Sequence, residues 1–157
     1  MVSIWGYQIL EQLYNGLRTL VYRGIREADA KPVVIKILKN SLPDFSELVQ
    51  FRNQYTIASR FNYPGIIQTY SLENYQNSYA LVMEDIQGVS LGEYMLGGNI
   101  ASLEDVLSIA VQITDTLYHI HQNCVIHKDI KPANILINPQ TKEIKLIDFS
   151  IASLLPK

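Results

Sequence analysis

The chain has 157 residues, 48% of them hydrophobic and 18% charged, with a formal net charge of −2. This make-up suits one core or two small lobes, and its near-neutral balance gives no electrostatic case for nucleic acid or an anionic membrane as partner. The single cysteine, Cys124, excludes an internal disulfide, no apolar run approaches the ~20 residues of a membrane span, and no basic-then-apolar leader opens the chain, so a cytoplasmic location is expected.

Three strands are expected first: Tyr7 to Leu13, Thr19 to Arg23, and Val33 to Lys39. Tyr14-Asn15-Gly16 and Glu27-Ala28-Asp29-Ala30 separate them. From Pro43 to Phe61 the pattern turns helical, with Leu48, Phe51, Tyr55, Ala58 and Phe61 forming one stripe, Asp44 as cap and Tyr63-Pro64-Gly65 as stop. Ile66 to Tyr70 and Tyr79 to Met83 read as strands joined by a polar turn through Asn74 and Asn77. Strands around one helix imply a small α+β lobe.

Gly88 and Gly97-Gly98-Asn99 mark a crossover, with the lobe boundary near residues 84 to 90. Ser102 caps a long helix in a capping-box-like pattern with Asp105, and Leu103, Val106, Leu107, Ala110, Ile113, Leu117 and Ile120 form its apolar stripe. His119, His121 and Cys124 do not share one helical face, so no metal site is expected there. Val125-Ile126 then leads into His127-Lys128-Asp129-Ile130-Lys131-Pro132-Ala133-Asn134.

Two β-prone runs follow, Ile135 to Ile137 and Ile144 to Ile147, around the turn-forming segment Asn138 to Glu143. Pairing Leu136 with Leu146 would set Asn134 opposite Asp148, with Asp129 in a polar loop ending at the same point. Opposed residues sit roughly 5 Å apart. Three oxygen donors at one loop end suit a hard cation such as Mg²⁺ together with substrate phosphates, and one of them can instead act as a base.

The ordered set His-x-Asp-x-Lys-Pro-x-Asn, two strands, then Asp148-Phe149 resembles the eukaryotic-type protein kinases, and Lys131-Pro132 resembles their serine/threonine branch. The resemblance implies an α+β, protein-kinase-like two-lobe fold, with a complete N-lobe over 1–86 and a partial C-lobe over 87–157. It implies ATP and Mg²⁺ as cofactors. Asp129 would accept the substrate hydroxyl proton, Lys131 would steady the γ-phosphoryl group, and Asn134 and Asp148 would hold the metal. Val33-Val34-Ile35-Lys36 resembles the strand whose lysine holds the α- and β-phosphates. Leu13 and Val21 would lie against the base, Gly16 would serve in the phosphate cover, Met83 would close the back of the pocket, and backbone near Glu84 and Ile86 would meet the adenine edge. His127 would pack and bond backbone.

Four departures stand out. The three glycine positions of the phosphate-covering loop read Tyr14, Gly16 and Thr19. The glutamate expected to pair with Lys36, ten positions before Pro64, is Gln54. Lys128 replaces the usual arginine, which weakens a bidentate grip on a phosphorylated loop. Ser150 replaces the glycine after Asp148-Phe149.

The sequence stops soon after Ser150, so the resemblance covers nearly the whole chain but little more than half of a kinase domain. Residues 1–157 alone are therefore expected not to act as a kinase. Tyr14 to Gly24 also resembles the N-terminal kinase module of bacterial multi-domain sensor kinases, implying signal transduction with a protein substrate or downstream signalling domains as partners. A nucleotide-binding pseudokinase and a small-molecule phosphotransferase are the competing readings; Lys131-Pro132 argues against the second.

Overall fold

The computed structural model describes residues 2–100 and 102–156. The β-branched and aromatic runs of the first half build a five-stranded sheet in the order β1-β2-β3-β5-β4, antiparallel throughout. Its strands are β1 Tyr7–Asn15, β2 Thr19–Arg26, β3 Lys31–Leu38, β4 Thr69–Tyr75 and β5 Ser78–Glu84, and α1 Phe45–Ala58 lies between β3 and β4 in sequence. Alternation sorts the strand residues onto two faces. Val33, Ile35, Ile37, Ala80 and Val82 bury one face with Tyr22 and Ile4. On the other, Leu81 and Met83 pack with Phe51 of α1 and Ile67.

Asp44 caps α1 through a capping box with Glu47. The buried face of α1 is Phe51, Gln54, Ile57 and Ala58. Leu48 and Tyr55 are only half-buried, so the expected stripe is rotated towards a buried amide.

The expected strand over Ile66 to Tyr70 is displaced. Ile66 and Ile67 precede β4 and are 2% exposed because they pack into cores, with Ile67 N–H donating to Leu146 O and Leu146 N–H to Gly65 O. A side chain at Gly65 would place Cβ 1.9 Å from Thr116 Oγ1, so only glycine allows this crossing. The β4–β5 turn is Gln76-Asn77, between the paired residues Tyr75 and Ser78, and Asn74 lies within the ladder opposite Tyr79.

After β6 Val89–Ser90 comes α2 Leu91–Leu96, a helix not expected from the sequence, which starts at a Ser90/Glu93 capping box. α3 Leu103–Gln122 starts at the expected Ser102/Asp105 capping box. β7 Val125–Ile126, β8 Ile135–Ile137, β9 Ile144–Leu146 and β10 Ser153–Leu154 complete the described chain, with a single 3₁₀ turn at Pro132–Asn134.

A further core joins Ile57, Ala58, Phe61 and Ile66 to Leu91, Tyr94, Ile120, Val125, Ile135, Ile137, Ile144, Leu146 and Phe149. The expected α3 stripe reaches it only at its C-terminal half: Ile120 is buried and Ile113 and Leu117 pack against it. Leu103 is 73% exposed, and Val106, Leu107 and Val111 are exposed with it.

Candidate active site

The β8–β9 register corrects the expected one. Ile135 pairs with Leu146, Leu136 with Lys145 and Ile137 with Ile144. Asn138 N–H donates to Glu143 O and closes the turn, and Asn134 lies opposite Ile147, whose N–H bonds Asn134 O at 2.9 Å. The physical reason is the alternation. Only this register puts Ile135, Ile137, Ile144 and Leu146 on one buried face, and a slip of one residue would turn one strand's isoleucines away from the core.

Asp148 leaves the ladder in the left-handed region, at φ 63°. Aspartate is one of the few residues to visit that region as a single residue, and such positions cluster at functional sites. Its Oδ2 lies 3.0 Å from Lys36 Nζ, and Ser150 N–H reaches Oδ1 at 3.3 Å. Burial, the largest single influence, pushes the Asp148 pKa up, but Lys36 and Ser150 together outweigh it and the carboxyl sits below its ordinary value.

Lys36 projects from β3 on the face of the sheet opposite Val33, Ile35 and Ile37. It pairs laterally with Val21, which pairs with Tyr14, so those three residues form a row. Its Nζ also donates to Gln54 Oε1 at 2.8 Å, and Gln54 is 2% exposed. The position expected to hold a glutamate thus meets Lys36 with a neutral amide.

Across from this pair, Asp129 Oδ2 accepts from Lys131 Nζ at 2.7 Å and from Asn134 Nδ2 at 2.7 Å. Asn134 Nδ2 also donates to Asp129 O at 3.0 Å, which turns Oδ1 away from Asp129. The hydrogen bond from Lys131, then that from Asn134, hold the Asp129 carboxyl below its usual range, against the effect of burial. Lys131 is raised, chiefly by Asp129, with Asp148 and Tyr14 contributing through space. Asn134, bonded to Asp129 through its side chain and to Ile147 through its carbonyl, ties this loop to the strand end that carries Asp148.

His127, 1% exposed, supports the loop from beneath. Its Nε2–H donates to Ile147 O at 2.9 Å and its Nδ1 accepts from Asp129 N–H at 3.2 Å, which defines a neutral ring. Burial lowers its pKa, with the Ile147 bond opposing. Lys128, at φ 70°, turns outwards to Ser153 Oγ.

The remaining expected residues are distributed as follows. Met83 is 7% exposed, at the end of β5. Glu84 N–H is taken by Gln68 O, and the Glu84 side chain bonds Gln68 N–H at 2.6 Å and pairs with Lys145 at 2.9 Å. Ile86 O accepts from Asn138 Nδ2 at 2.8 Å. Leu13 sits at a register shift in β1 and is 41% exposed. Gly16 closes the β1–β2 turn, where a Cβ would stand 2.4 Å from Tyr14 Cε1; the tyrosine ring therefore packs directly against the loop. Lys39 Nζ ties the turn down through Asn15 Oδ1 at 2.8 Å.

Among the contacts that the sequence does not foretell are the Lys145–Glu84 pair, which joins β9 to β5, and that of Asn53, whose amide reaches the segment after Asp148. Both span the chain, so no local pattern marks them.

As a site for a cation, the donor set is Asp148 carboxylate plus Asn134 Oδ1. Hard oxygens of this kind fit Mg²⁺, which takes one or two protein carboxylates and completes its shell with phosphate and water. Among the described residues no group of three or more His, Cys, Asp or Glu could hold a metal by itself. The residues present fit a phosphate-shared Mg²⁺.

Comparison with known proteins gives the family. The family model described as "Protein kinase domain" matches residues 7–157. The chain is 35% identical over 150 residues to the serine/threonine-protein kinase PrkC of Bacillus subtilis, covering 95% of this chain and 23% of that protein. It is 31% identical to the probable serine/threonine-protein kinase pknA2 of Bifidobacterium longum, covering 93% and 20%. To the MAP kinase kinase kinase wis4 of Schizosaccharomyces pombe it is 33% identical, covering 88% and 10%. It thus spans less than a quarter of these relatives. The sheet with its one helix, followed by helices and short strands, is the α+β, protein-kinase-like arrangement with part of the second lobe, and the chain belongs to the protein kinase domain family.

Proposed function

We propose that this chain is the nucleotide-binding and catalytic part of a serine/threonine protein kinase that transfers the γ-phosphoryl group of ATP to a protein hydroxyl. The observation that carries this reading is the bonded set Asp129–Lys131–Asn134, joined through the Asn134 O to Ile147 N–H bond to the strand end where Asp148 pairs with Lys36. Residues 1–86 supply the first lobe and 87–157 part of the second.

Asp129 accepts the proton of the substrate hydroxyl; Lys131 and Asn134 hold its carboxylate in place through Oδ2. Lys131 stays cationic and steadies the phosphoryl group in flight. Lys36, tethered by Gln54, holds the α- and β-phosphates under the turn at Gly16. Asp148 and Asn134 would hold Mg²⁺, which when bound neutralises charge on the phosphate oxygens. Leu13 and Val21 flank the base, with Met83 behind it. On this reading, backbone groups near Glu84 and Ile86 meet the adenine edge.

Two observations favour a second reading, a nucleotide-binding regulatory module without transfer: the neutral Gln54 beside Lys36, and the Tyr14 ring packed against Gly16. Among the described residues no helix is long and apolar enough to cross a membrane. On our reading the domain works in the cytoplasm, coupled to further signalling domains of a multi-domain kinase of bacterial type.

The test is a calorimetric titration of the full-length protein with ATP, with and without Mg²⁺. Asp148→Ala should abolish the Mg²⁺-dependent gain in affinity. An unchanged gain would refute the metal assignment.

A further inference from the structure

Asn53 lies on α1 beside Gln54, and none of the chemistry above uses it. Its Nδ2 donates to three backbone carbonyls, those of Ser150 at 3.0 Å, Ala152 at 3.1 Å and Phe149 at 3.4 Å. An amide group carries two N–H hydrogens, so one is shared between two of these oxygens. All three oxygens follow directly on Asp148. The far end of the same segment is fixed to the other side of the site: Ser153 and Leu154 pair with Ile126 and Val125, and Leu155 N–H donates to Cys124 O at 2.7 Å. Phe149, fully buried, anchors its start against His127 and Phe61. The segment is thus held from three directions, and Asn53 is the attachment from α1.

That attachment matters because of its neighbour. Lys36 meets α1 through a neutral acceptor, Gln54, while its charge is balanced by Asp148. A neutral acceptor holds an ammonium less firmly than a carboxylate does. The carbonyl set at Asn53 supplies what Gln54 does not, a multiple contact between helix and turn that involves no ionised group. Three converging acceptors demand a donor, so neither aspartate nor leucine of similar size could replace asparagine here.

We propose that Asn53 is a positioning residue that clips α1 to the turn carrying Asp148, so that helix and turn set the Lys36–Asp148 geometry as one unit. The inference rests on the reading of Asp148 as the Mg²⁺ ligand, and its test separates the two. Full-length wild-type, Asn53→Ala and Asn53→Asp proteins are compared by amide hydrogen exchange without ligand, and by ATP titration with and without Mg²⁺. Asn53→Asp keeps the shape but sets a carboxylate against three oxygens. Asn53→Ala favours helix and keeps the experiment decisive if the aspartate variant unfolds.

The expected result is faster exchange over residues 149–155, on the order of tenfold and larger for aspartate than for alanine, with β1 to β3 unchanged. The Mg²⁺-dependent gain in ATP affinity should fall by about the same factor while Mg²⁺-free binding holds. Unchanged exchange over 149–155 in a folded variant overturns the proposal, as does Mg²⁺-dependent binding that stays at the wild-type level. A wild-type protein with no Mg²⁺-dependent binding overturns the reading of Asp148 instead, and faster exchange in its variants would still support the clip.

Discussion

Replacing Gln54 by glutamate tests how Lys36 is held. The Gln54 oxygen lies 2.8 Å from Lys36 Nζ, and Asp148 Oδ2 lies 3.0 Å from the same atom. A full charge at the Gln54 position would gain roughly 6 kcal/mol of Coulomb energy at an effective dielectric of about 20. Gln54 is 2% exposed, so burying that charge costs several kcal/mol and cancels most of the gain. What survives is the difference between an ion-paired hydrogen bond and the charge-assisted one that the Lys36 ammonium already makes to the neutral amide, a part of the about 1.5–3 kcal/mol that such bonds span. A net of about 1 kcal/mol corresponds to roughly fivefold in rate. Gln54→Glu in the full-length protein should therefore raise kcat/KM for ATP about fivefold, measured as phosphate transfer to a generic protein substrate, without loss of thermal stability. Unchanged or lower transfer at equal stability would refute this reasoning. It would show that Asp148 already places Lys36 and that a second carboxylate only competes for it.

Acid should act on stability in two separate windows. The folded pKa of His127 lies below its ordinary value of 6.5, so the unfolded chain binds the extra proton; the stability from burying it neutral is complete above 6.5 and is lost as pH falls below that. Asp148 is depressed below 3.8, so its contribution is complete above 3.8 and is lost only as pH falls further, through its folded pKa. Denaturant titrations between pH 8 and 5 should show falling stability, and His127→Gln should flatten that slope whatever it does to absolute stability. Residues 1–157 should bind an apolar dye and transfer phosphate roughly 100-fold more slowly than the same residues joined to the C-terminal half of a related kinase domain. The basis is the exposure of Leu103, Val106, Leu107 and Val111 on α3, since each such side chain is worth about 1.5–3 kcal/mol when buried. Dye binding should drop on Leu107→Lys, and full transfer by the isolated chain would contradict the argument.

Local chemistry made much of the fold readable in advance. The Asp44 and Ser102 capping boxes mark helix starts with two residue types at fixed spacing, β2 and β3 follow from runs rich in β-branched residues, and β5 from an apolar run. The resemblance to the protein kinases, through its spacing back from Pro64, pointed to Gln54 as the partner of Lys36, and the two are bonded. Ser90 and Glu93 carried the same capping signal for α2, hidden by the glycines around it. What failed was non-local. The β8–β9 register was matched on two leucines, whereas the core selects the isoleucine face. Ile66 and Ile67 are apolar because they insert into cores, a context indistinguishable in sequence from a strand. The α3 stripe has clear helical spacing, but spacing does not say what will cover it. Asn53 and Lys145 act across long stretches of chain and leave no local trace.

The central claim is phosphoryl transfer with Asp129 as the proton acceptor. Its most direct test is a radiolabelled γ-phosphate assay on the full-length protein with Mg²⁺-ATP and a generic protein substrate, comparing wild type with Asp129→Asn. General-base contributions run ~10²–10⁴-fold, so the account predicts label on serine or threonine of the substrate and a loss of that order in the variant, with ATP affinity retained. Transfer by Asp129→Asn at the wild-type rate, or none by a wild-type protein that binds Mg²⁺-ATP, would contradict it.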